Sequence, residues 1–335
     1  MSYYLYQLSF STPVHFGDAA MGGKLEQIAP TISADILFSA VCVELVQQDR
    51  YDLLDRLTEN VQSGEICFSD LFPYQVIGRD VQLFLPRPFL QLDGGKERQI
   101  ADMQDARQVS AAKKLLKKQA YIRALEISSF MEAVAAGELY TAESSLHAGT
   151  DTMVKRVNTR GEESMPYYVR TYSFAENTGL YGIAKLPEDW RDTFQRIMES
   201  LGYSGIGGKR SSGYGHFTLH DDIMELLPHD NDTETRLNLL VDDTEMIINL
   251  LDRTESPWQM CLSVLCPEDA EAVKGGQYQL KKRSGFSENK KHDSIYMVAA
   301  GSCFRKRMEG RLLDLSGEND DHPIWRYGKG MYIGL

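Results

Sequence analysis

The sequence predicts an α+β fold. Three observations carry this. The first part of the chain reads strand, helix, two strands, an insertion, strand, helix, loop, strand, which is a ferredoxin-like or RRM-like order. A second β-rich stretch follows it. At 335 residues, with 42% hydrophobic content, the chain exceeds one typical domain and can fill a core in each of two.

The elements follow from local pattern. Tyr3 to Phe10 alternates and is rich in aromatics, so it opens the sheet. S-T-P-V-H-F-G-D then makes a turn around Pro13 and Gly17, and Gly22-Gly23-Lys24 makes another. Ser33 is placed to cap a helix running through Gln47, with Ile36, Leu37, Ala40, Val41 and Leu45 on its buried face. Tyr51 to Val61 forms a second short helix. Glu65 to Phe68 and Val81 to Leu85 read as strands, after which Pro86 and Pro88 close the sheet edge.

An insertion occupies about 91–137. Gln91 to Arg107 is polar and aperiodic, a mobile loop, whereas Ala111 to Ala136 is helical by propensity. Residues 147–166 look like an exposed hairpin with a basic arm. Tyr167 to Phe174 and Leu180 to Leu186 continue as strands. Pro187 fits a first helical position, and Trp190, Phe194, Ile197, Met198 and Leu201 repeat at helical spacing. Tyr214 to Leu219 returns as a strand, which places a boundary at 220 and divides the chain into 1–220 and 221–335. The second part opens acidic, with a helix around Asp243 to Leu251. The strands Trp258 to Leu265, Tyr278 to Arg283, Ile295 to Ala300, Gly310 to Leu315 and Met331 to Leu335 follow.

Composition narrows the class. No apolar run is long enough to span a membrane, and the start M-S-Y-Y-L-Y-Q-L lacks the features of a secretory signal. Five cysteines at unrelated spacings fit reduced thiols in a cytoplasm. The net charge of −12 argues against indiscriminate nucleic-acid binding. Charge is uneven, however: Thr218 to Trp258 holds eleven acidic residues and two arginines, while basic residues cluster at Lys155-Arg156-Arg160, Lys209-Arg210 and Lys281-Lys282-Arg283. An acidic body with local basic patches suits one defined strand in a groove, or protein partners.

The densest motif is G-I-G-G-K-R-S-S-G-Y-G-H-F at 205–217. Five of the eleven residues from Gly205 to Gly215 are glycine. Glycine permits positive φ, and successive exposed N–H groups form an anion nest. Lys209, Arg210, Ser211 and Ser212 add charge and hydroxyls, and Tyr214 adds a stacking face. A glycine-rich surface turn with solvated charges would read the same way. A Walker loop is excluded because Arg210 follows Gly208-Lys209 and Tyr203 stands where the first glycine belongs. A dinucleotide fingerprint is excluded because Arg210 stands at its third glycine. The context of helix, loop, strand also reverses that of both nucleotide loops and suits a polyanion backbone better.

Catalytic constellations are not apparent, and neither a metal nor a cofactor is expected. His216 and His220 lie roughly 13 Å apart along a strand, too far to share a metal. The Asp221-Asp222, Asp242-Asp243 and Asp320-Asp321 pairs diverge. His15 is a candidate acid or base for RNA cleavage, and equally a contact or structural residue. The RRM aromatic signature is absent.

Taken together, H-F-G at 15–17, P-T-I-S-A-D-I-L-F-S-A at 30–40, the 205–215 loop, and G-S-C-F with H-P-I-W-R-Y-G-K near the C-terminus resemble the RAMP superfamily. More narrowly they resemble the group-5-type subunit of the Csm complex, the type III-A CRISPR effector of antiviral defence. The matches are spaced along nearly the whole chain. The resemblance implies two ferredoxin-like units with inserted helices, and a β-hairpin thumb at about 147–166. It implies a non-catalytic RNA-binding subunit that holds the 5′ handle of the CRISPR RNA and docks on the large polymerase-like subunit and a backbone RAMP subunit. RNA contacts would then fall on His15, Phe16, Gly17, Lys24, Ser33, Lys155, Arg156, Arg160, Gly205, Gly207, Gly208, Lys209, Arg210, Ser211, Ser212, Gly213, Tyr214, Lys282 and Arg283. One departure is His216, where many RAMP loops carry Arg. The alternative is a RAMP endoribonuclease that processes precursor CRISPR RNA through His15.

Overall fold

The computed structural model describes residues 2–17, 25–91, 107, 110, 114, 116, 118–158, 164–227, 242–284, 286–287, 290–291, 294–317 and 322–335. In chain order its first strands are β1 (Ser2–Phe10), β2 (Cys67–Phe68), β3 (Phe72–Ile77), β4 (Asp80–Pro86), β5 (Tyr121–Arg123), β6 (Gly149–Asn158), β7 (Met165–Phe174), β8 (Thr178–Leu186) and β9 (Phe217–Leu226). All but β6 and β7 form one antiparallel sheet in the order β5-β4-β3-β8-β1-β9, with β2 also paired to β8. The helices are α1 (Ala34–Gln47), α2 (Tyr51–Ser63), α3 (Ile127–Ala136), α4 (Arg191–Ser204) and α5 (Asp242–Asp252).

Both faces of the sheet are buried, and side-chain alternation sorts residues between them. Tyr4, Tyr6 and Leu8 of β1 and Leu180, Ala184 and Leu186 of β8 enter one core, under α1, α2 and α4. Leu5, Tyr181 and Ile183 enter the other, under α3 and α5. The helices match by spacing: Leu37, Phe38, Val41 and Leu45 of α1 and Phe194, Ile197, Met198 and Leu201 of α4 are all buried.

The C-terminal part forms short separate ladders. β10 (Gln259–Cys261) lies between β15 (Cys303–Phe304) and β18 (Tyr332–Gly334). Around it run the pairs β11 (Leu280–Arg283) with β14 (Ile295–Val298), β12 (Phe286–Ser287) with β13 (Lys290–Lys291), and β16 (Gly310–Asp314) with β17 (Trp325–Lys329). This part adds Val264 and Tyr327 to the first core and Met260, Leu262 and Ile333 to the second. All five cysteines are free thiols.

Several expectations change. The boundary at 220 falls inside β9, because that strand runs on to Leu226. The edge expected at Pro86 and Pro88 is covered: Pro86 pairs with Tyr121 of β5. The helix expected over 111–136 is interrupted by β5, where Ile122 is drawn into the second core. Most of the loop expected over 91–107 lies outside the described residues. Tyr167 to Phe174, expected as a separate strand, is the second arm of the hairpin, which spans 149–174. β3, β17 and the two-residue strands β12, β13 and β15 have no counterpart among the expected elements.

The start of α1 also differs. Ser33 occupies the cap position, yet its hydroxyl donates to Asp35 Oδ1 at 2.5 Å. The capping group is Asp70, whose Oδ1 accepts the Ala34 N–H at 2.8 Å and the Val264 N–H at 3.0 Å. Asp35 itself is fully buried and pairs with Arg283 at 3.1 Å and Arg326 at 3.2 Å. Two carboxylates therefore join α1 to the C-terminal part.

Burial pushes the Asp70 carboxyl up to about 6, against the pull of Lys281 and of the Ala34 and Val264 N–H groups. A folded-state value above the unfolded one means that the native state holds the proton more tightly. The contribution to stability is fully present below the unfolded value and is lost as pH rises through about 6. Asp70→Asn keeps an oxygen acceptor and removes this loss. Its denaturation midpoint, compared with the unsubstituted chain, should improve as pH rises from about 5 to about 7. A difference that stays flat with pH would overturn the assignment.

Candidate nucleic-acid interface

The glycine loop leaves α4 at Gly205 and is fastened to the turn after β1. Ser11 N–H donates to His216 O at 3.1 Å, Gly215 N–H to Pro13 O at 3.0 Å, and Gly208 N–H to His15 O at 2.8 Å. Thr12 Oγ1 accepts the His216 N–H at 3.0 Å. Two stretches some 200 residues apart thus form one surface.

Two of the loop glycines, Gly207 and Gly208, are required by this fastening, and Gly205 and Gly215 by the close packing of the loop on itself. A Cβ on Gly207, at φ +93°, would sit 2.7 Å from Phe16 Cδ1; one on Gly208 would sit 2.8 Å from His15 Cδ2; one on Gly215 would sit 2.1 Å from Ile206 O. Only at Gly213, among the loop glycines, would a Cβ enter open space. The expectation that these glycines serve close approach by phosphate is therefore revised: four of the five serve approach by the protein's own chain.

The anion-binding geometry lies at the tip. Lys209 is left-handed, at φ 63° and ψ 23°, and Arg210–Ser212 forms a single 3₁₀ turn. A left-handed residue followed by right-handed ones turns successive N–H groups to one side. The N–H groups of Lys209, Arg210 and Ser211 have no partner among the described residues. Lys209 and Arg210 are half-buried, neither paired with a carboxylate among the described residues, while Ser211, Ser212 and Gly213 are exposed. Beside the tip is a cavity of about 280 Å³, lined by Gly17, Ile36, Ser39, Gly207, Gly208 and Arg210.

The hairpin stands against this loop. Arg156 donates to the Tyr214 hydroxyl at 2.8 Å with its guanidinium 5.1 Å from the ring centroid, and the Lys209 ammonium lies 5.3 Å from the Tyr167 centroid. Arg156 and Tyr167 face each other across the ladder. The hairpin root is pinned where Val14 pairs with Tyr172 and where His15 Nδ1 meets Arg170 O at 2.8 Å. Lys155 is exposed, as are the apolar side chains Met153, Val157 and Met165.

The structure brings together His15, Gly17, Arg156 and the whole 205–214 loop. Phe16 is buried beneath Gly207 and lines the cavity beside the tip. Ser33 and Arg283 are corrected: both are buried, with the Arg283 guanidinium hydrogen-bonded to Ser33 and paired with Asp35, so their donors are occupied inside the fold. Lys282 is exposed on the separate β11–β14 pair. Lys24 and Arg160 lie outside the described residues. Sequence reasoning missed Tyr167 and Arg170; the signal available for Tyr167 was its place opposite the basic Arg156 in the hairpin. Among the described residues no cluster of histidine, cysteine, aspartate or glutamate could hold a metal ion. Nor is any described helix long and apolar enough to cross a membrane.

Comparison with known proteins agrees along the whole chain. A family model described as the CRISPR Csm4 C-terminal domain matches residues 254–335. The CRISPR system protein Csm4 of Streptococcus thermophilus is 31% identical, covering 100% of this chain and 99% of that protein. Csm4 of Mycobacterium tuberculosis is 28% identical over 96% of this chain and 94% of that protein. Among solved structures, a Csm3-Csm4 subcomplex of the type III-A CRISPR-Cas interference complex superposes with a TM-score of 0.62 at 14% identity, covering 100% of this chain and 99% of the other. A Csm1-Csm4 cassette in complex with AMPPNP gives 0.61 at 18%, with coverage of 100% and 98%.

The glycine geometry has a direct test. Gly207→Ala should displace Phe16 and lower the melting temperature of the chain. Gly213→Ala should cost only the left-handed backbone penalty, about 1–2 kcal/mol. Equal destabilisation by the two would show that the loop is not held against the turn as described.

Proposed function

The chain belongs to the Csm4 family, and from that premise we propose that it is the non-catalytic RNA-binding subunit of a type III-A CRISPR ribonucleoprotein, holding the 5′ handle of the CRISPR RNA. The observation that carries the RNA reading is the loop tip: three consecutive unpartnered N–H groups beside the Lys209 and Arg210 side chains, flanked by Tyr167, Tyr214 and Arg156 of the same surface. Donors, cations and rings in one place suit the phosphates and bases of a single strand. Lys155 and the exposed Met153, Val157 and Met165 would make the hairpin a thumb that wedges between bases.

The strand order β9-β1-β8-β3, with α1 and α4 as the crossovers, supports a ferredoxin-like first unit. A second such unit is proposed over the C-terminal part. The similar solved structures pair Csm4 with Csm1 in one case and Csm3 in the other. By analogy this chain would bridge a large polymerase-like subunit and a backbone RAMP subunit.

The competing reading is an endoribonuclease using His15. That imidazole is 5% exposed, packs beneath Gly208, and has Nδ1 engaged by the Arg170 carbonyl. An acid or base must reach the proton it moves, and this ring is poorly placed to do so.

Lys209→Ala with Arg210→Ala should lower retention of guide RNA. The pair should also flatten the log–log salt dependence by about 1.4, at about 0.7 for each single-strand phosphate no longer neutralised. Unchanged RNA content and slope would sink the RNA reading of the loop. Labelled precursor RNA incubated with the purified chain, with and without divalent metal, should stay intact. Cleavage abolished by His15→Ala would reverse the choice of class.

A further inference from the structure

A second candidate site lies away from the glycine loop, where the segment after β4 meets the C-terminal part. The backbone there is tied across: Arg87 N–H donates to Ala120 O at 2.9 Å, Phe89 N–H to Gly301 O at 2.8 Å, and Gln91 N–H to the side-chain oxygen of Gln277. Between these ties is an open cleft of about 550 Å³, lined by Arg87, Leu90, Gln91, Gly276, Gln277 and Tyr278. None of the described residues lining it is acidic.

Arg87 is the unusual member. It is half-buried, its Nε is buried without a hydrogen-bond partner, and no carboxylate pairs with it among the described residues. Burial alone pulls its pKa down. The Nε atoms of Arg170, Arg283 and Arg326 are likewise without a hydrogen-bond partner, but each of those guanidiniums, like that of Arg123, pairs with an aspartate. A desolvated guanidinium without an anion is costly, and a ligand that supplies one removes the cost.

The neighbours suggest what carries that anion. The Tyr278 ring stacks on Phe304, centroids 6.0 Å apart at 22°, and its own exposure of 42% leaves it a solvent-facing surface. The Gln277 oxygen is occupied by Gln91 N–H, which leaves its amide N–H₂ to donate outward. An anion site, an aromatic platform and an amide donor in one cleft match the parts of a nucleotide. We infer that this cleft binds a nucleotide unit, its phosphate on Arg87 and its base on Tyr278. The unit is either a free mononucleotide or part of a single strand. The site shares no residue with the glycine loop.

The test uses the full chain carrying Lys209→Ala and Arg210→Ala, so that the loop contributes little. Binding of AMP, UMP and a short mixed-sequence single-stranded RNA is measured before and after adding Arg87→Ala, Tyr278→Ala or Tyr278→Phe. Arg87→Ala and Tyr278→Ala should each weaken binding about tenfold, Tyr278→Phe should not, and the melting temperature should hold. Binding of the mononucleotides as well as RNA assigns a free ligand; binding of RNA alone assigns a strand. No binding by any probe, equal binding by all variants, or Arg87-dependent binding of an oligoglutamate peptide in place of nucleotides would each overturn the inference. Failure of the glycine-loop reading would appear separately, as unchanged RNA retention on substituting Lys209 and Arg210.

Discussion

The first turn of α1 is where the molecule is held together. Asp70, arriving from the β2–β3 connection, places one oxygen between the Ala34 N–H and the Val264 N–H. Asp35, one residue into the helix, faces Arg283 and Arg326. Both carboxylates sit at the positive end of the helix dipole, which favours them. The cost of burying them is offset only while every partner is present. Removing one member of such a buried pair typically costs about 3–5 kcal/mol, because the other charge is left stranded. Three parts of the chain, about 35, 70 and 265–326, are fixed by two side chains, and the buried Tyr327 reinforces the join by bonding the Phe68 backbone.

This junction also places the functional surface. α1 carries Ile36, Ser39 and Ala40 to the wall of the cleft beside the glycine loop, and the loop supplies the opposite wall. The loop owes its shape to the 11–17 turn rather than to any ligand. Its N–H groups are held in place by the fold itself, so an anion bound there would meet a loop whose ordering cost is already met. The overall charge of −12 then matters less than its distribution: the acidic stretch begins just after the loop, in β9, and Arg210 lies within electrostatic reach of the buried Glu44, yet neither Lys209 nor Arg210 forms a salt bridge among the described residues.

Much of this was legible in the sequence. Alternation marked β1, and helical spacing marked α1 and α4, because those elements bury regular faces. The glycine loop was conspicuous by composition, although its glycines are there for a different reason from the one inferred. β3 was hidden because Phe72, Pro73, Tyr74 and Gln75 are all buried, which erases alternation, and Pro73 resembles a breaker. β5 was hidden inside a run of good helix formers, where tertiary pairing with β4 overrides propensity. Ser33 and Arg283 looked like surface contacts because a sequence does not reveal that Asp35 lies between them.

The register of β1 has a consequence for how the chain is made. Its ladder partners are β8 and β9, so the strand translated first pairs with segments that emerge some 170 to 220 residues later. The 11–17 turn waits equally long for the loop that fastens to it. Such non-local pairing is slow, since loop closure must be met before contacts reward it. During synthesis the aromatic strand Ser2–Phe10 emerges well before either of its ladder partners. The surface formed by the 11–17 turn and the glycine loop comes into being only once nearly two-thirds of the polypeptide has been released.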